Sequence, residues 1–343
     1  MTRLVRLWLG ALVLSSCSAF RGARWPAPAP EPAPAPGLAA SATAALEPST
    51  AQEPRPQCGD IPQPIGRIRS RELDEISGVA ESRADPRVLF VHNDSGDTPR
   101  FFAIDRSGEL LAELTLEDVP ILLDAEDIAL GPGPGRASFI YLGDTGNNFA
   151  TGLGLPRRKA FVYRFPEPPI QASAHGAKLS VERAFRITLT FPRGARNVEA
   201  FFIDPRTGDL IALAKQPDGV SEVLMAPAAL LAAGGGELLL LGELRFGKPP
   251  LSGSPMPTSA SITQDGSAIL VRTYSSIFLF ERGPSATIME ALARPPRVLP
   301  SPPEGQGEAI SFVDGDAAYV TISEGADRSI YCAQLPAPQS NSP

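Results

Sequence analysis

The sequence predicts an all-β fold, a single β-propeller of five blades whose ring is closed by an N-terminal strand. The main observation is a short pattern that occurs five times, at intervals of 51, 73, 59 and 50 residues. After most copies come a Gly/Asp/Pro turn and an apolar run. Repeats of about 40–50 residues that hold several short strands are typical of propeller blades. The copies are Glu75-Ile-Ser-Gly-Val, Glu126-Asp-Ile-Ala-Leu, Glu199-Ala-Phe-Phe-Ile, Thr258-Ser-Ala-Ser-Ile and Glu308-Ala-Ile-Ser-Phe.

Apolar runs bounded by turn residues predict the strands of each blade, in order from the channel outward. The strands of blade 1 are predicted at Ile76–Ala80, Val88–His92, Phe101–Ile104 and Glu109–Leu116. Those of blade 2 are predicted at Asp127–Leu130, Phe139–Leu142, Ala160–Phe165 and Ala184–Thr190. The strands of blade 3 are predicted at Ala200–Ile203, Leu210–Ala214, Glu222–Met225 and Glu237–Leu244. Those of blade 4 are predicted at Ser259–Ile262, Ala268–Thr273, Ile277–Glu281 and Arg297–Leu299. Short helices are expected at Pro227–Ala233 and Ala286–Ala293.

The last blade has only three strands at the C-terminus, Ala309–Phe312, Ala318–Ile322 and Ser329–Gln334. Its fourth strand is predicted at Ile65–Arg69, at the start of the domain. The long interval between the second and third copies leaves room for a sixth blade. Residues 166–196 show one clear strand and a proline-rich loop, so five blades are favoured.

Composition excludes some classes of function. The 343 residues carry a net charge of −7, with a pI near 5.1 and 43% hydrophobic residues. Such a chain can bury a large core. Nucleic-acid binding needs a clustered basic surface, so we expect no nucleic-acid partner.

The N-terminus has the features of a bacterial lipoprotein signal peptide at residues 1–16. Arg3 and Arg6 precede the apolar stretch Leu7–Leu14, and Leu14-Ser15-Ser16-Cys17 matches a lipobox. Acylated Cys17 would anchor the protein in a lipid bilayer, outside the cytoplasm. Since Ser18 follows it, the outer membrane is the expected location if the source is Gram-negative. The alternative is an ordinary secretory peptide with an incidental cysteine.

Four segments are therefore expected. After residues 1–16, residues 17–57 form a tether, because prolines alternate from Pro26 to Pro36 and an Ala/Ser/Thr/Glu stretch follows. Residues 58–338 form the propeller, and residues 339–343 form a disordered tail.

Two cysteines remain for the folded domain. Cys58 opens it, and Cys332 lies in its last predicted strand. In an exported protein this pattern predicts a disulfide, which here would join the first and last parts of the ring. The alternative is a pair of buried free thiols.

One end of the channel, which we call the mouth, is expected to collect polar residues, because the inner strands begin there and the loops between second and third strands lie there. Candidate ligand or metal residues are Glu75, Asp94, Asp124, Glu126, Asp144, Glu199 and Glu308. Other mouth-loop residues include His92, Asn93, Asp97, Asn147, Lys215, Arg272 and Glu324.

Converging carboxylates suit a hard cation, with Ca²⁺ favoured over Zn²⁺ because the chain has only two histidines. Two alternatives stay open. Each Glu could instead accept backbone N–H bonds from the neighbouring blade and clamp the ring, or the site could be catalytic. We predict no catalytic residue. The nucleophile motif Gly-x-Ser-x-Gly is absent, Ser95 is flanked by residues typical of an ordinary turn, and His92 is expected to be structural.

Several segments together resemble a group of uncharacterised bacterial extracytoplasmic β-propeller proteins, many of them lipoproteins, and more distantly the phytase-like propeller superfamily. The resemblance spans most of residues 70–335. It is carried by Ser-Gly-x-Ala…His-Asn-Asp-Ser-Gly-Asp, ending at Asp97, and Gly-Asp-x-Gly-Asn-Asn, ending at Asn148. It implies a propeller at the cell surface, and the phytase-like relatives imply calcium-dependent phosphate-ester hydrolysis. The chain departs from that pattern at Ala125 and Thr258, and in lacking a Lys/Arg cluster.

Two functions follow as hypotheses. The first is an anchored binding or scaffolding module that recognises an unidentified protein or small molecule with its acidic face. The second is a calcium-dependent phosphoesterase.

Overall fold

The computed structural model describes residues 58–148, 155–216, 219–246, 255–326 and 328–337. The predicted signal peptide, Cys17, the tether and the tail lie outside these residues. Within them, no helix is long and apolar enough to cross a membrane.

Five antiparallel meanders form the five blades, and the inner strands pack side by side around the channel. After β1 (Gln63–Arg67), blade 1 holds β2 (Ile76–Glu81), β3 (Val88–Asn93), β4 (Arg100–Asp105) and β5 (Leu110–Leu116). Blade 2 holds β6 (Ala125–Pro132), β7 (Ser138–Asp144), β8 (Lys159–Pro166) and, after β9 (Ala177–Val181), β10 (Phe185–Thr190). A 3₁₀ turn at Pro134–Arg136 joins β6 to β7.

Blade 3 holds β11 (Val198–Ile203), β12 (Leu210–Ala214), β13 (Val220–Ala226) and, after α1 (Ala228–Ala232) and β14 (Gly235–Glu237), β15 (Leu239–Arg245). Blade 4 holds β16 (Pro257–Ile262), β17 (Ala268–Thr273), β18 (Ile277–Glu281) and, after α2 (Ile288–Leu292), β19 (Arg297–Leu299). Blade 5 holds β20 (Gly307–Val313), β21 (Ala318–Ser323) and β22 (Ser329–Gln334). The five-blade prediction is confirmed.

Two short strands were not predicted. β9 lies in the interval that was expected to hold one strand and a loop, and it pairs in parallel with β5 of blade 1. β14 pairs in parallel with β10 of blade 2. Each therefore extends the outer edge of the preceding blade. β14 needs glycine, because a Cβ on Gly235 would lie 1.9 Å from the carbonyl oxygen of Thr188.

The ring closes by strand exchange and by a disulfide, both as predicted. β1 pairs antiparallel with β22 and forms the outer strand of blade 5. A disulfide joins Cys58 to Cys332, 274 residues apart. Arg106 of blade 1 adds an ion pair to Asp314 of blade 5 at 2.9 Å and another to Glu81. The seam between the first and last blades is thus held by hydrogen bonds, charge and a covalent bond.

Apolar side chains fill the space between each pair of adjacent blades. Phe101 and Phe165 meet between blades 1 and 2, with ring centroids 5.1 Å apart. Phe246 and Phe278 meet between blades 3 and 4, at 5.2 Å. Burial of this kind is the main favourable term in folding, so the ring is stabilised blade against blade.

A buried aspartate links four blades near the channel axis. Asp127 of blade 2 accepts backbone N–H bonds from Phe201 of blade 3 (3.1 Å) and Ala260 of blade 4 (3.2 Å). It also accepts the hydroxyl of Ser259 at 3.1 Å, and that hydroxyl in turn accepts the N–H of Ile310 in blade 5. Asp127 therefore accepts backbone N–H bonds from neighbouring blades, the structural role that was one alternative for the glutamates.

Candidate cation site at the channel mouth

All five inner strands carry a β-bulge at the same place, the second residue of the strand. The bulges lie at Ser77, Glu126, Glu199, Thr258 and Glu308, where the register of each inner strand shifts against its neighbour. Bulges re-aim a side chain and are frequent beside functional sites. The repeat seen in the sequence is thus a repeat of bulges at the mouth.

This register corrects the first copy of the repeat. Ser77, not Glu75, is the residue of blade 1 that matches Glu126 of blade 2. Glu75 precedes β2 and is exposed. The sequence could not show this shift, because Glu75 and Ser77 both precede an apolar run and a bulge leaves no local signature.

The two bulges that carry hydroxyls connect blades. Ser77 Oγ donates to the carbonyl of Glu126 in blade 2, at 2.8 Å. Thr258 Oγ1 of blade 4 donates to the carbonyl of Gly307 in blade 5, also at 2.8 Å. Three bulges, at Glu126, Glu199 and Glu308, are left to carry carboxylates.

Three carboxylates converge on one point of the mouth. Asp94 follows β3, Asp124 precedes β6, and Glu126 occupies the bulge of β6. One oxygen from each lies within 4.8 Å of the other two. We call these residues the acidic trio. Hard oxygen donors at this spacing fit a divalent cation such as Ca²⁺.

Glu126 has an unsatisfied oxygen in this cluster. Its side chain is 2% exposed, and its Oε1 has no hydrogen-bond partner. A Cβ on Gly146 would lie 2.0 Å from that oxygen and 2.6 Å from Cγ of Asp124, so the loop after β7 covers the carboxylates closely. A buried carboxylate oxygen with no donor is costly, and a cation at this point would satisfy it.

Burial and the charges of neighbouring carboxylates raise the pKa values of Asp94 and Glu126. Desolvation, followed by the charges of Asp124 and Glu199, raises the pKa of Asp94 to about 7. Desolvation, followed by Glu199 and Asp94, raises the pKa of Glu126 well above its usual value. A bound cation would reverse this effect, because it favours the ionised form.

Glu199, by contrast, has a cation of its own. Lys215 Nζ lies 2.6 Å from its Oε2 and donates to the hydroxyl of Tyr274 as well. Asn148 and Asn197 donate to the other oxygen, Oε1. Burial alone would lower the pKa of Lys215, but the charge of Glu199 raises it above the usual value, so the lysine stays protonated.

A hydrogen-bonded chain connects this ion pair to the trio. The side chain of Asn148 binds Glu199, and its backbone N–H donates to Asp124 Oδ2 at 2.7 Å. Asn197 Oδ1 accepts the N–H of Asn147 at 2.6 Å. Asn148, Asn197 and Tyr274 were not among the predicted site residues. The only signal was their position in polar loops at the mouth.

Asp144 has a supporting position. It accepts the N–H of Asp124 at 3.0 Å and forms an ion pair with Arg157 at 2.7 Å. Arg157 in turn donates its backbone N–H to Oδ1 of Asn147. Asp144 therefore holds the backbone beside the trio. Arg157 was not anticipated, because it follows the loop by many residues.

Glu308 is a second buried carboxylate with an unpartnered oxygen, Oε2, and it is 5% exposed. Desolvation and the charge of Glu199 raise its pKa to about 8, against an opposing effect of Lys215. It does not belong to the trio.

The remaining predicted residues lie around these groups. His92 is fully buried, desolvation lowers its pKa to about 4, and its Nδ1 contacts the carbonyl of Asn93 at 2.8 Å. Asn93 donates to Asp97, which Arg100 also binds. Together with Glu75 these last three residues line a groove of about 430 Å³ beside Asp94.

Arg272 lies between blades 4 and 5. It is fully buried and paired with Glu304 at 2.5 Å. A Cβ on Gly307 would lie 1.9 Å from its guanidinium group, so the glycine makes room for it. The sequence placed Arg272 among the mouth-loop residues, but its pairing is with the neighbouring blade.

Comparisons with known proteins add little to this geometry. No protein-family model matches the chain, and no curated protein matches it either. One similar solved structure is the crystal structure of a nidogen/laminin complex. Its sequence identity is 14%, the match covers 72% of each chain, and the TM-score is 0.40. The propeller assignment rests on the five sheets themselves.

Proposed function

We propose that this protein is an exported binding module that holds a divalent cation, Ca²⁺ being favoured, at Asp94, Asp124 and Glu126, and presents it to a ligand at the channel mouth. The observation that supports this most is Oε1 of Glu126, a buried carboxylate oxygen without a donor, next to oxygens of two other carboxylates. Ca²⁺ takes six to eight oxygen ligands. Three side chains would leave coordination positions open to a ligand.

The site is preorganised for this role. The backbone N–H of Asn148 donates to Oδ2 of Asp124, and the backbone N–H of Asp124 donates to Oδ1 of Asp144, so both the carboxylate and the backbone of Asp124 are held before any ion arrives. Lys215, paired with Glu199, offsets part of the negative charge that acts on Glu126. Preorganised ligands cost less ordering on binding.

Hydrolysis of phosphate esters is the second candidate, and it rests on the resemblance to phytase-like propellers. Cationic side chains or metal ions stabilise the phosphoryl group in such reactions, and a polyphosphate substrate favours a cluster of Lys and Arg beside the metal. The basic groups nearest the candidate residues are already paired: Lys215 with Glu199, Arg157 with Asp144, and Arg272 with Glu304. These pairs favour binding over hydrolysis.

Location forms part of the same proposal. The lipobox at Cys17 and the proline-rich segment after it would hold the propeller away from a bacterial membrane, outside the cytoplasm. The disulfide supports an oxidising compartment. Replacing Cys17 with Ser should leave an unprocessed precursor. Normal processing and detergent-phase partitioning of that variant would contradict the anchor.

One screen tests the functional proposal. Isothermal titration of the purified protein with Ca²⁺ and Mg²⁺, run beside a phosphatase assay with a chromogenic ester, separates the two candidates. We expect Ca²⁺ binding and no calcium-dependent turnover. Turnover that disappears in chelator would favour the hydrolase instead.

A further inference from the structure

A second unsatisfied carboxylate at the mouth indicates what else the ligand carries. We propose that Glu308 binds a cationic nitrogen, an ammonium or guanidinium group, of the molecule that occupies the mouth. The inference rests on the proposed function only in placing that ligand at the mouth.

The first step is the state of Glu308 itself. Its side chain is 5% exposed, it projects from the bulge of β20, and Oε2 has no hydrogen-bond partner. Buried polar atoms nearly always have partners in native proteins. A buried carboxylate oxygen that lacks one, at the start of an inner strand, is therefore a position for a ligand group.

The second step excludes a metal ion of its own. Ca²⁺ needs several oxygen ligands around it. Among the described residues, the acidic trio is the one group of three carboxylates close enough to share an ion, and Glu308 is not part of it. A lone carboxylate is better suited to a hydrogen-bonding ligand.

The third step concerns charge. Lys215, the cation that acts on Glu308, forms its ion pair with Glu199, while the charges of Glu199, Glu324 and Asp94 all act unfavourably on ionised Glu308. A neutral hydroxyl would donate a hydrogen bond to Oε2 of Glu308 but would leave the negative charge of the carboxylate without a counter-charge. A cationic nitrogen satisfies both, through a charge-assisted bond that is stronger than a neutral one.

The cationic group can come from a free small molecule or from a Lys or Arg side chain of a partner protein. Titration calorimetry in saturating Ca²⁺ distinguishes these sources. One arm uses arginine amide, and another uses a five-residue glycine peptide with a central arginine. Binding of the peptide at least about tenfold more tightly indicates a protein partner, while equal affinity indicates a free molecule. Either result supports recognition of the cation.

The decisive arm keeps the protein unchanged. Citrulline amide has nearly the shape of arginine amide but no charge. We expect it to bind at least about tenfold more weakly, since a buried site built for one group discriminates against an analogue that lacks it. Equal affinity of the two amides, or no binding of arginine amide at about 10 mM, would overturn the inference.

A variant then assigns the effect to the residue. Glu308→Gln should lose at least about tenfold in affinity for arginine amide while still binding one equivalent of Ca²⁺. Glu243→Gln, the same change on the exposed face of β15, is the control and should alter neither value. Unchanged arginine-amide affinity in Glu308→Gln would refute the assignment. Binding of arginine amide without any Ca²⁺ binding would instead refute the cation site and leave this inference standing.

Discussion

Lys215 and Glu199 form a buried ion pair at the channel mouth, with Nζ and Oε2 separated by 2.6 Å and side chains 11% and 2% exposed. The pair divides the three bulge carboxylates into two kinds. Glu199 has a cation of its own, while Glu126 and Glu308 each keep an oxygen without a partner. The mouth therefore holds one bulge carboxylate that is paired with a cation and two that are not.

Breaking this pair should destabilise the fold whether or not Ca²⁺ is present. Lys215→Met leaves a buried carboxylate uncompensated, which costs about 3–5 kcal/mol of unfolding free energy in comparable cases. Urea denaturation in Ca²⁺ and in chelator measures the loss. Lys178→Met is the control, because the side chain of Lys178 is 80% exposed in its pair with Glu113 and the loss should stay below about 1 kcal/mol. Equal stability of the two variants would contradict a structural role for the pair.

Asp127 should matter to stability more than to ligand binding. Asp127→Asn replaces one acceptor oxygen with a donor amide, which faces a backbone N–H of Phe201 or Ala260, or the hydroxyl of Ser259. An unsatisfied buried donor costs about 1–3 kcal/mol, so we expect a loss of at least about 2 kcal/mol in urea denaturation. Asp60→Asn, at an exposed position, should change little. If Asp127→Asn unfolded at the same urea concentration as the wild-type protein, the hydrogen bonds of Asp127 would not be needed to hold the blades together.

The disulfide should stabilise the ring mainly through the unfolded state. Replacing both Cys58 and Cys332 with Ser frees a loop that the bond closes across 274 residues, nominally about 5 kcal/mol by the chain-entropy argument. Because β1 still pairs with β22, the variant should fold with a lower urea midpoint. Peptide mapping without reductant checks the bond in the wild-type protein. A midpoint unchanged by the double substitution would show that the strand exchange alone closes the ring.

Stability should fall with rising pH when no cation is bound. The folded-state pKa values of Asp94 and Glu308 are raised to about 7 and about 8, so the folded protein binds more protons than the unfolded chain between their ordinary values and these. Their contribution to stability is present at low pH and is lost as pH rises through about 7–8. In chelator, the melting temperature should therefore fall as pH is raised from about 6.5 to about 8.5.

His92 does not contribute in that pH window. Its pKa in the folded protein is lowered to about 4, so it opposes folding only where the unfolded histidine is protonated, below about pH 6.5. Ca²⁺ should reduce the decline, because it stabilises the ionised form of Asp94. A melting temperature that rises with pH in chelator would contradict the raised pKa values.

The sequence predicted the strands better than the site, for a physical reason. Ile277–Glu281 and Ser329–Gln334 were predicted with their observed bounds, because alternation and turn residues are local signals. β9 and β14 were missed because each pairs in parallel with a strand of another blade, and such pairing is not encoded locally.

The same limit applied to the mouth. The sequence collected Asp94, Asp124 and Glu126 on one face, since strand starts and loops converge there. It could not separate them from Glu199, because the pairing of Glu199 with Lys215 depends on the distance across a folded loop. It also aligned Glu75 with Glu126, since a bulge shifts the register only in the folded sheet.

The most direct test of the cation site is Ca²⁺ titration of the wild-type protein and of Glu126→Gln, followed by calorimetry and by the melting temperature. The wild-type protein should bind one equivalent and melt at a higher temperature in Ca²⁺, since a ligand that binds only the folded state stabilises it. Glu126→Gln should lose both effects while melting in chelator at least as high as wild type, because one of several crowded like charges is gone. Glu243→Gln should behave as wild type. Undiminished Ca²⁺ binding by Glu126→Gln, or no Ca²⁺ binding by the wild-type protein, would contradict a cation site at Asp94, Asp124 and Glu126.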